Sequence, residues 1–135
     1  MKVLLLGGNG YMGPHVVKAI EDYHTLRITD TMPIESRHET RIVDVADLDQ
    51  VRRAAEGMDA IINLSVLRHD RKLAFDVSTR GSYNAMQAAV EHGIPRIVNT
   101  GPHFTLVGQT YEDFDFDLNP DIPPHPGTNL YALTK

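Results

Sequence analysis

Apolar runs of four to six residues alternate along the chain with segments whose apolar positions recur every three or four residues. Lys2 to Leu6 reads as a buried strand that ends in glycines. Tyr11 to Glu21 carries Val16, Val17 and Ile20 at helical spacing. Thr25 to Asp30 is a second strand and Arg41 to Val45 a short third. Asp47 followed by Gln50 has the form of a capping box, which opens a helix through Ala55 with Gly57 as its stop. Ala60 to Leu64 is a fourth strand. Arg71 to Glu91 is a long helix closed by Gly93 and Pro95, and Arg96 to Thr100 is a fifth strand. This βαβ alternation predicts an α/β fold, a parallel sheet with helices on both faces.

The pattern then changes. From 102 to 127 there is little periodicity, and four of the eight prolines fall between Pro120 and Pro126, so this stretch is expected to be a loop. Residues 128–135 read as the first turns of another helix. The chain stops inside that helix, so residues 1–135 are expected to form one partial domain, cut before the last strands and a substrate lobe.

Charge and composition narrow the partners. The net charge of −5 argues against a nucleic-acid surface, which needs Lys and Arg to meet phosphates. An anionic cofactor must then be held by local dipoles rather than by the overall field. With no cysteine there is no disulfide and no thiolate chemistry, which suits a cytoplasmic setting. The apolar run after Lys2 is too short to span a membrane, so no membrane partner is expected. The seven histidines show no paired ligand spacing, and no metal is expected. Asp113, Asp115 and Asp117 have the spacing that opens a calcium loop, but Leu118 stands at the sixth position in place of the required glycine. A solvated loop is the default reading there.

Chemistry enters at the first turn. Gly8-Asn9-Gly10-Tyr11-Met12-Gly13 matches G-x-G-x-x-G, and Gly7, Gly10 and Gly13 give a second spacing, G-x-x-G-x-x-G. Such glycines permit a tight turn, close approach of backbone to a pyrophosphate, and close packing of helix on strand. The free N–H groups of the helix start then receive the phosphates, and Pro14 sits where a missing N–H costs little. The turn follows the first strand, opens a helix, and has an acid, Asp30, at the end of the next strand, 17 residues past Gly13. That context is a Rossmann-type dinucleotide site. Asp30 is expected to accept hydrogen bonds from the adenosine ribose and to repel a 2′-phosphate, which predicts NAD over NADP. Arg37, on a loop, is the one nearby cation able to offset it.

Tyr131-Ala132-Leu133-Thr134-Lys135 places a phenol and an ammonium four apart, on one helical face. A positive charge near a phenol favours the phenolate, and a Tyr so tuned can exchange a proton with a substrate hydroxyl while hydride moves to or from nicotinamide. By itself the spacing is common and usually marks a solvated helix face. Its place after a fifth strand gives it weight.

Taken together the chain resembles the extended short-chain dehydrogenase/reductase family, of the NAD-dependent epimerase/dehydratase type, which also contains uronate dehydrogenases. The resemblance rests on Gly7-x-x-Gly10-x-x-Gly13, Asp30, Asp44-Val45 and Asn63-Leu64-Ser65-Val66. It extends through Asp76 to Asn84, Arg96-Ile97-Val98 and Tyr131-x-x-x-Lys135, and so spans the whole chain. It implies that Asn9, Gly10, Tyr11 and Met12 line the pyrophosphate and that Asp44 and Val45 approach the adenine. Leu64, Ser65 and Val66 would border the cofactor. Tyr131 would be the acid/base and Lys135 would hold the nicotinamide ribose. It also implies a sugar-like substrate and a homodimer formed through a helix bundle.

Two departures stand out. The family usually carries a serine triplet or Thr-Ser-Ser after the fifth strand, whose last Ser orients the substrate hydroxyl. Here the sequence is Thr100-Gly101-Pro102-His103-Phe104-Thr105. Pro102 cannot do that job, and Thr100, His103 and Thr105 are the alternatives. Ser78 stands where a helix Asn is common. The expected function is therefore an NAD-dependent oxidoreductase or epimerase/dehydratase acting on a sugar hydroxyl, with a non-catalytic NAD-binding sensor or scaffold as the alternative. A fragment ending at Lys135 is expected to be inactive alone.

Overall fold

The computed structural model describes residues 1–102, 121 and 125–135 of the chain. Its centre is β1 (Lys2–Leu6), a run of apolar residues that is buried on both sides, as expected of a parallel strand covered on both faces. β1 pairs in parallel with β2 (Thr25–Asp30) on one side and with β4 (Ala60–Asn63) on the other. β3 (Glu39–Ile42) and β5 (Arg96–Asn99) complete a five-stranded parallel sheet of order β3-β2-β1-β4-β5. That order and direction are those of a doubly wound, Rossmann-type sheet, with five of its six strands.

Alternation along the strands feeds two cores. Val3 and Leu5 join Leu26, Ile28 and Ala60 beneath helix α1 (Gly13–Ile20), which contributes Val16, Val17 and Ile20. Leu4, Leu6 and Ile61 face the other way, toward helices α2 (Leu48–Ala55) and α4 (Gly81–Glu91), whose Val51, Ala54, Ala85, Ala88 and Ala89 close that side. The small alanines let α4 lie close to the sheet. Ala89 is core, whereas Met86 and Val90 on the same helix are exposed.

Most of the expected boundaries hold, and three differ for identifiable reasons. The third strand lies at Glu39–Ile42, two residues before the expected start, and all four of its residues are exposed. Val43 and Val45, which drew the expectation, are buried in the core between sheet and helices, although the Val43 N–H still donates to the Asp30 carbonyl of β2 at 2.8 Å. Helix α1 begins at Gly13 because Tyr11 and Met12 still belong to the turn. The long helix is not uniform. It runs as α3 (Arg71–Ala74), a π-helical turn (Phe75–Arg80) and α4. π turns interrupt helices mainly at functional sites, and this one carries Val77 into the cleft described below.

Two caps place the remaining elements. Asp47 accepts from the Gln50 N–H at 3.1 Å, while the Gln50 side chain bonds both Asp47 and the Asp44 N–H. Gly57 ends α2 in the left-handed region at φ 74°. Asn129 Oδ1 accepts from the N–H groups of Tyr131 and Ala132, and so starts helix α5 (Leu130–Thr134) where a helix was expected. The side chain of Thr79, in the π turn, donates to the Thr134 carbonyl at 2.6 Å and so ties α5 to the main body.

Candidate functional site

Five chain segments leave the sheet at its C-terminal edge, where ligands bind in doubly wound folds. Between them lies a cleft of about 820 Å³, within the range of small-molecule and cofactor sites.

The glycine-rich turn forms its floor. Gly7 has φ 77°, and a Cβ there would lie 2.8 Å from the Ser65 backbone nitrogen, so only glycine permits this approach of the turn after β1 to the segment after β4. A Cβ on Gly8 would fall 2.2 Å from Ile28, and one on Gly13 2.0 Å from the Gly8 carbonyl oxygen. Gly8 and Gly13 are therefore packing glycines. Gly7 and Gly10 line the cleft together with Asn9, Tyr11 and Met12, while Gly13 lies beneath, buried at the start of α1. The working frame is thus Gly7-x-x-Gly10-x-x-Gly13. The first N–H groups of α1 have no partner within the helix, and the dipole favours negative charge at that end.

The acid expected at the end of β2 is in place. Asp30 Oδ2 accepts from the Asn9 N–H at 3.0 Å and Oδ1 from the Thr31 N–H at 2.8 Å, which fixes the carboxylate at the cleft wall. Arg37 forms an ion pair with Glu21 at 3.0 Å and is not among the residues lining the cleft. Asp44 and Val45 form the adjoining wall. Asn84 of α4 donates to the Val45 carbonyl at 2.8 Å, and Gly81 lets α4 come against the Val45 side chain.

On the β4 side, Leu64, Ser65 and Val66 line the cleft as expected. They are positioned by Asn63, whose side chain is wholly buried. Its amide donates to Asn99 Oδ1 at 2.7 Å and to Ser82 Oγ at 3.3 Å, and its Oδ1 accepts from the Ser65 N–H at 3.1 Å. Ser65 Oγ is buried and has no hydrogen-bond partner among the described residues. Thr100 reaches the cleft from the end of β5, where both its N–H and its hydroxyl donate to the Asn63 carbonyl. That leaves Thr100 Oγ1 as a hydrogen-bond acceptor toward the cleft. His103 and Thr105, the other two alternatives, and the Asp113 to Asp117 stretch lie outside the described residues.

Tyr131 closes the far end of the cleft, and Lys135 lies one helical turn on, its N–H bonded to the Tyr131 carbonyl. The Lys135 ammonium is buried without a hydrogen-bond partner among the described residues, and loss of hydration pushes its pKa down to about 8. The guanidinium of Arg68, in the loop after β4, sits 4.5 Å from the centroid of the Tyr131 ring. Arg68, Leu67, Val77 and Gly101 also line the cleft and were not anticipated. The sequence signal available for Arg68 was its place in a loop that follows a parallel strand at the ligand-binding edge.

Among the described residues no group of three or more His, Cys, Asp or Glu is able to hold a metal ion, and no helix is long and apolar enough to cross a membrane.

Comparison with known proteins places this geometry. The model of the 3-beta hydroxysteroid dehydrogenase/isomerase family matches residues 4–114. Short-chain dehydrogenase/reductase family 42E member 1 of Danio rerio is 28% identical, over 98% of this chain and 37% of its own length. Uronate dehydrogenase of Pseudomonas syringae pv. tomato is 28% identical, over 99% of this chain and 50% of its own. The structure of a point variant of uronate dehydrogenase from Agrobacterium tumefaciens, complexed with NAD, superposes with a TM-score of 0.84. It is 25% identical and covers 98% of this chain and 51% of that one. The chain therefore spans about half the length, or less, of these relatives.

Proposed function

The chain belongs to the 3-beta hydroxysteroid dehydrogenase/isomerase family, and on that footing we propose that it forms the NAD-binding part of an oxidoreductase or epimerase/dehydratase acting on a hydroxyl of a sugar or sugar-derived substrate. One observation carries the reading. A single cleft gathers the glycine turn at the start of α1, the Asp30 carboxylate and the Tyr131 phenol with Lys135 one turn away.

The residues fit the cofactor. Gly7 and Gly10 leave the turn without side chains on the cleft, and Ser65 Oγ and the Lys135 ammonium are buried polar groups awaiting a partner among the described residues. Asn9 to Met12 would line the pyrophosphate, with the N–H groups of Tyr11 and Met12 turned to it, since those of Asn9 and Gly10 are bonded to Asp30 and Gly7. Asp30 would accept from the adenosine ribose hydroxyls, and its charge, with Arg37 engaged by Glu21, favours NAD over NADP. Asp44 and Val45 would bound the adenine, and Leu64, Ser65 and Val66 the middle of the cofactor.

When bound, NAD⁺ supplies the hydride acceptor. Tyr131, as phenolate, takes the proton of the substrate hydroxyl while the carbon gives up its hydride, which leaves a carbonyl and a neutral phenol. Lys135 supports the phenolate by its charge and holds the nicotinamide ribose. Thr100 would orient the substrate oxygen, in the place the family gives to a serine, by turning its hydroxyl from the Asn63 carbonyl and donating to that oxygen. The exposed Met86 and Val90 on α4 support pairing of two copies through a helix bundle, and a sequence without cysteine suits a cytoplasmic setting.

The test is reduction of NAD⁺ by candidate sugars and sugar acids in the full-length protein. Turnover abolished in Tyr131→Phe, with NAD affinity retained, is the expected result. A second reading, a sensor or scaffold that binds NAD without chemistry, draws on the commitment of the Thr100 hydroxyl proton to Asn63. NAD binding with no turnover of any candidate, and no change in Tyr131→Phe, would select it.

A further inference from the structure

Arg68 is the one cationic side chain among the described residues that line the cleft, and the charged groups toward the adenosine end, Asp30 and Asp44, are both acidic. It does not stand there by default. The chain carries a net charge of −5, so its general field opposes an anionic substrate, and any such substrate needs a local cation to settle.

The position of Arg68 is specific. Its guanidinium lies 4.5 Å from the centroid of the Tyr131 ring, the ring that bears the proposed acid/base hydroxyl. A guanidinium that lies flat on an aromatic face keeps its N–H donors in its own plane, open to a further partner. Those donors form a fork that matches the two oxygens of a carboxylate. No described carboxylate lies within ion-pair distance of Arg68. The nearest acid along the chain, Asp70, is occupied in capping α3, where it accepts from the Leu73 N–H at 2.8 Å.

We propose that Arg68 is the receptor for a carboxylate that the substrate carries across one sugar ring from its reacting hydroxyl, so that the enzyme selects hydroxy acids over neutral sugars and sterols. The proposal deepens the dehydrogenase reading above and rests on it. A single planar cation suits a carboxylate better than a phosphate, whose third oxygen and second charge call for further donors. The contact with the Tyr131 ring, 4.5 Å from its centroid, gives the receptor a fixed place relative to the reacting group. An acid gripped there presents a hydroxyl one sugar ring away to Tyr131.

The experiment uses the full-length protein saturated with NAD⁺. D-Glucuronate and D-galacturonate are compared with D-glucose and D-galactose by initial rates and by titration calorimetry. Wild-type protein is expected to prefer the acids in kcat/KM and in direct binding. Arg68→Gln is expected to lower the acid-to-neutral ratio by about 30- to 100-fold, the loss of one charge-assisted hydrogen-bonded pair, mainly through KM. Arg68→Lys, which keeps the charge and loses the fork, should fall between. Equal losses on acids and neutral sugars, confined to kcat, would make Arg68 a support for Tyr131 and overturn the proposal. So would a wild-type protein that binds NAD⁺ but shows no preference for either acid in rate or in binding. Failure to bind NAD⁺ at all would instead remove the dehydrogenase reading itself.

Discussion

Exchanging two glycines of the same turn for alanine should separate packing from ligand binding. In Gly13→Ala the new methyl carbon lies 2.0 Å from the Gly8 carbonyl oxygen and 2.5 Å from its carbon. Relief requires turn and helix to part by about 1 Å, and close-packed interiors rarely give that much. Gly8 cannot retreat, because its N–H is bonded to the Thr29 carbonyl at 2.8 Å and Ile28 presses on its other side. The cost is set at the upper end of overpacking, about 3 kcal/mol, or on the order of 10 °C in melting temperature. Gly10→Ala differs. Its methyl would meet only the Gly7 carbonyl oxygen, at 3.2 Å, from an exposed position at the cleft. Stability should change by no more than about 0.5–1 kcal/mol, while NAD affinity should fall at least about tenfold, since the methyl takes space the pyrophosphate needs. Thermal melts and calorimetric titration of NAD⁺ on the full-length variants measure both quantities. A Gly13→Ala protein as stable as wild type, or a Gly10→Ala protein that binds NAD⁺ normally, would refute the assignment of the two glycines.

Other consequences follow from the buried polar groups. Lys135 holds its proton less tightly when folded, near pH 8, than in the unfolded chain, near 10.5. The unfolded state therefore binds more protons between those values, and stability rises with pH across that window. Relative to Lys135→Met, the wild type should gain at most about 3 kcal/mol from pH 8 to 10.5 and lose it as pH falls from 10.5 back to 8, measured by urea unfolding at stepped pH. Asn63→Ala strips the Ser65 N–H of its partner and Asn99 Oδ1 of one of its two donors, and empties the space of a wholly buried side chain. It should cost about 2–4 kcal/mol and disturb Ser65 at the cleft. A variant with wild-type denaturation midpoint would contradict that network.

Where burial and pattern coincide, the sequence was easy to read. β1 falls at the residues its apolar run marks, because a covered parallel strand is apolar on both faces. β2 falls where Leu26 and Ile28 alternate with Arg27 and Thr29, whose buried side chains bond the Ala54 and Leu5 carbonyls. β3 escaped by two residues because an exposed edge strand has no such pattern, and the nearby valines serve the core instead. The π turn left no trace in the periodicity, since one extra residue in a turn does not alter which residue types are apolar. The frame of the glycine turn was ambiguous in one dimension. It was decided by the contact of Gly8 with Ile28, which only the β1–β2 pairing creates. Asp30, Tyr131 and Lys135 were legible from spacing and family resemblance together. Arg68 was not, because its partner lies 63 residues further along the chain and the loop that carries it has no periodicity. The family resemblance read from the residues is borne out by the match over residues 4–114.

The central claim is that the turn from Gly7 to Gly13, with Asp30 beside it, is a seat for NAD. Titrating the full-length protein with NAD⁺ and with NADP⁺, under identical salt, tests it most directly. The account predicts that NAD⁺ binds at least about tenfold more tightly, the equivalent of roughly 1.4 kcal/mol of discrimination at the Asp30 carboxylate. Tighter binding of NADP⁺, or no binding of either, would contradict it.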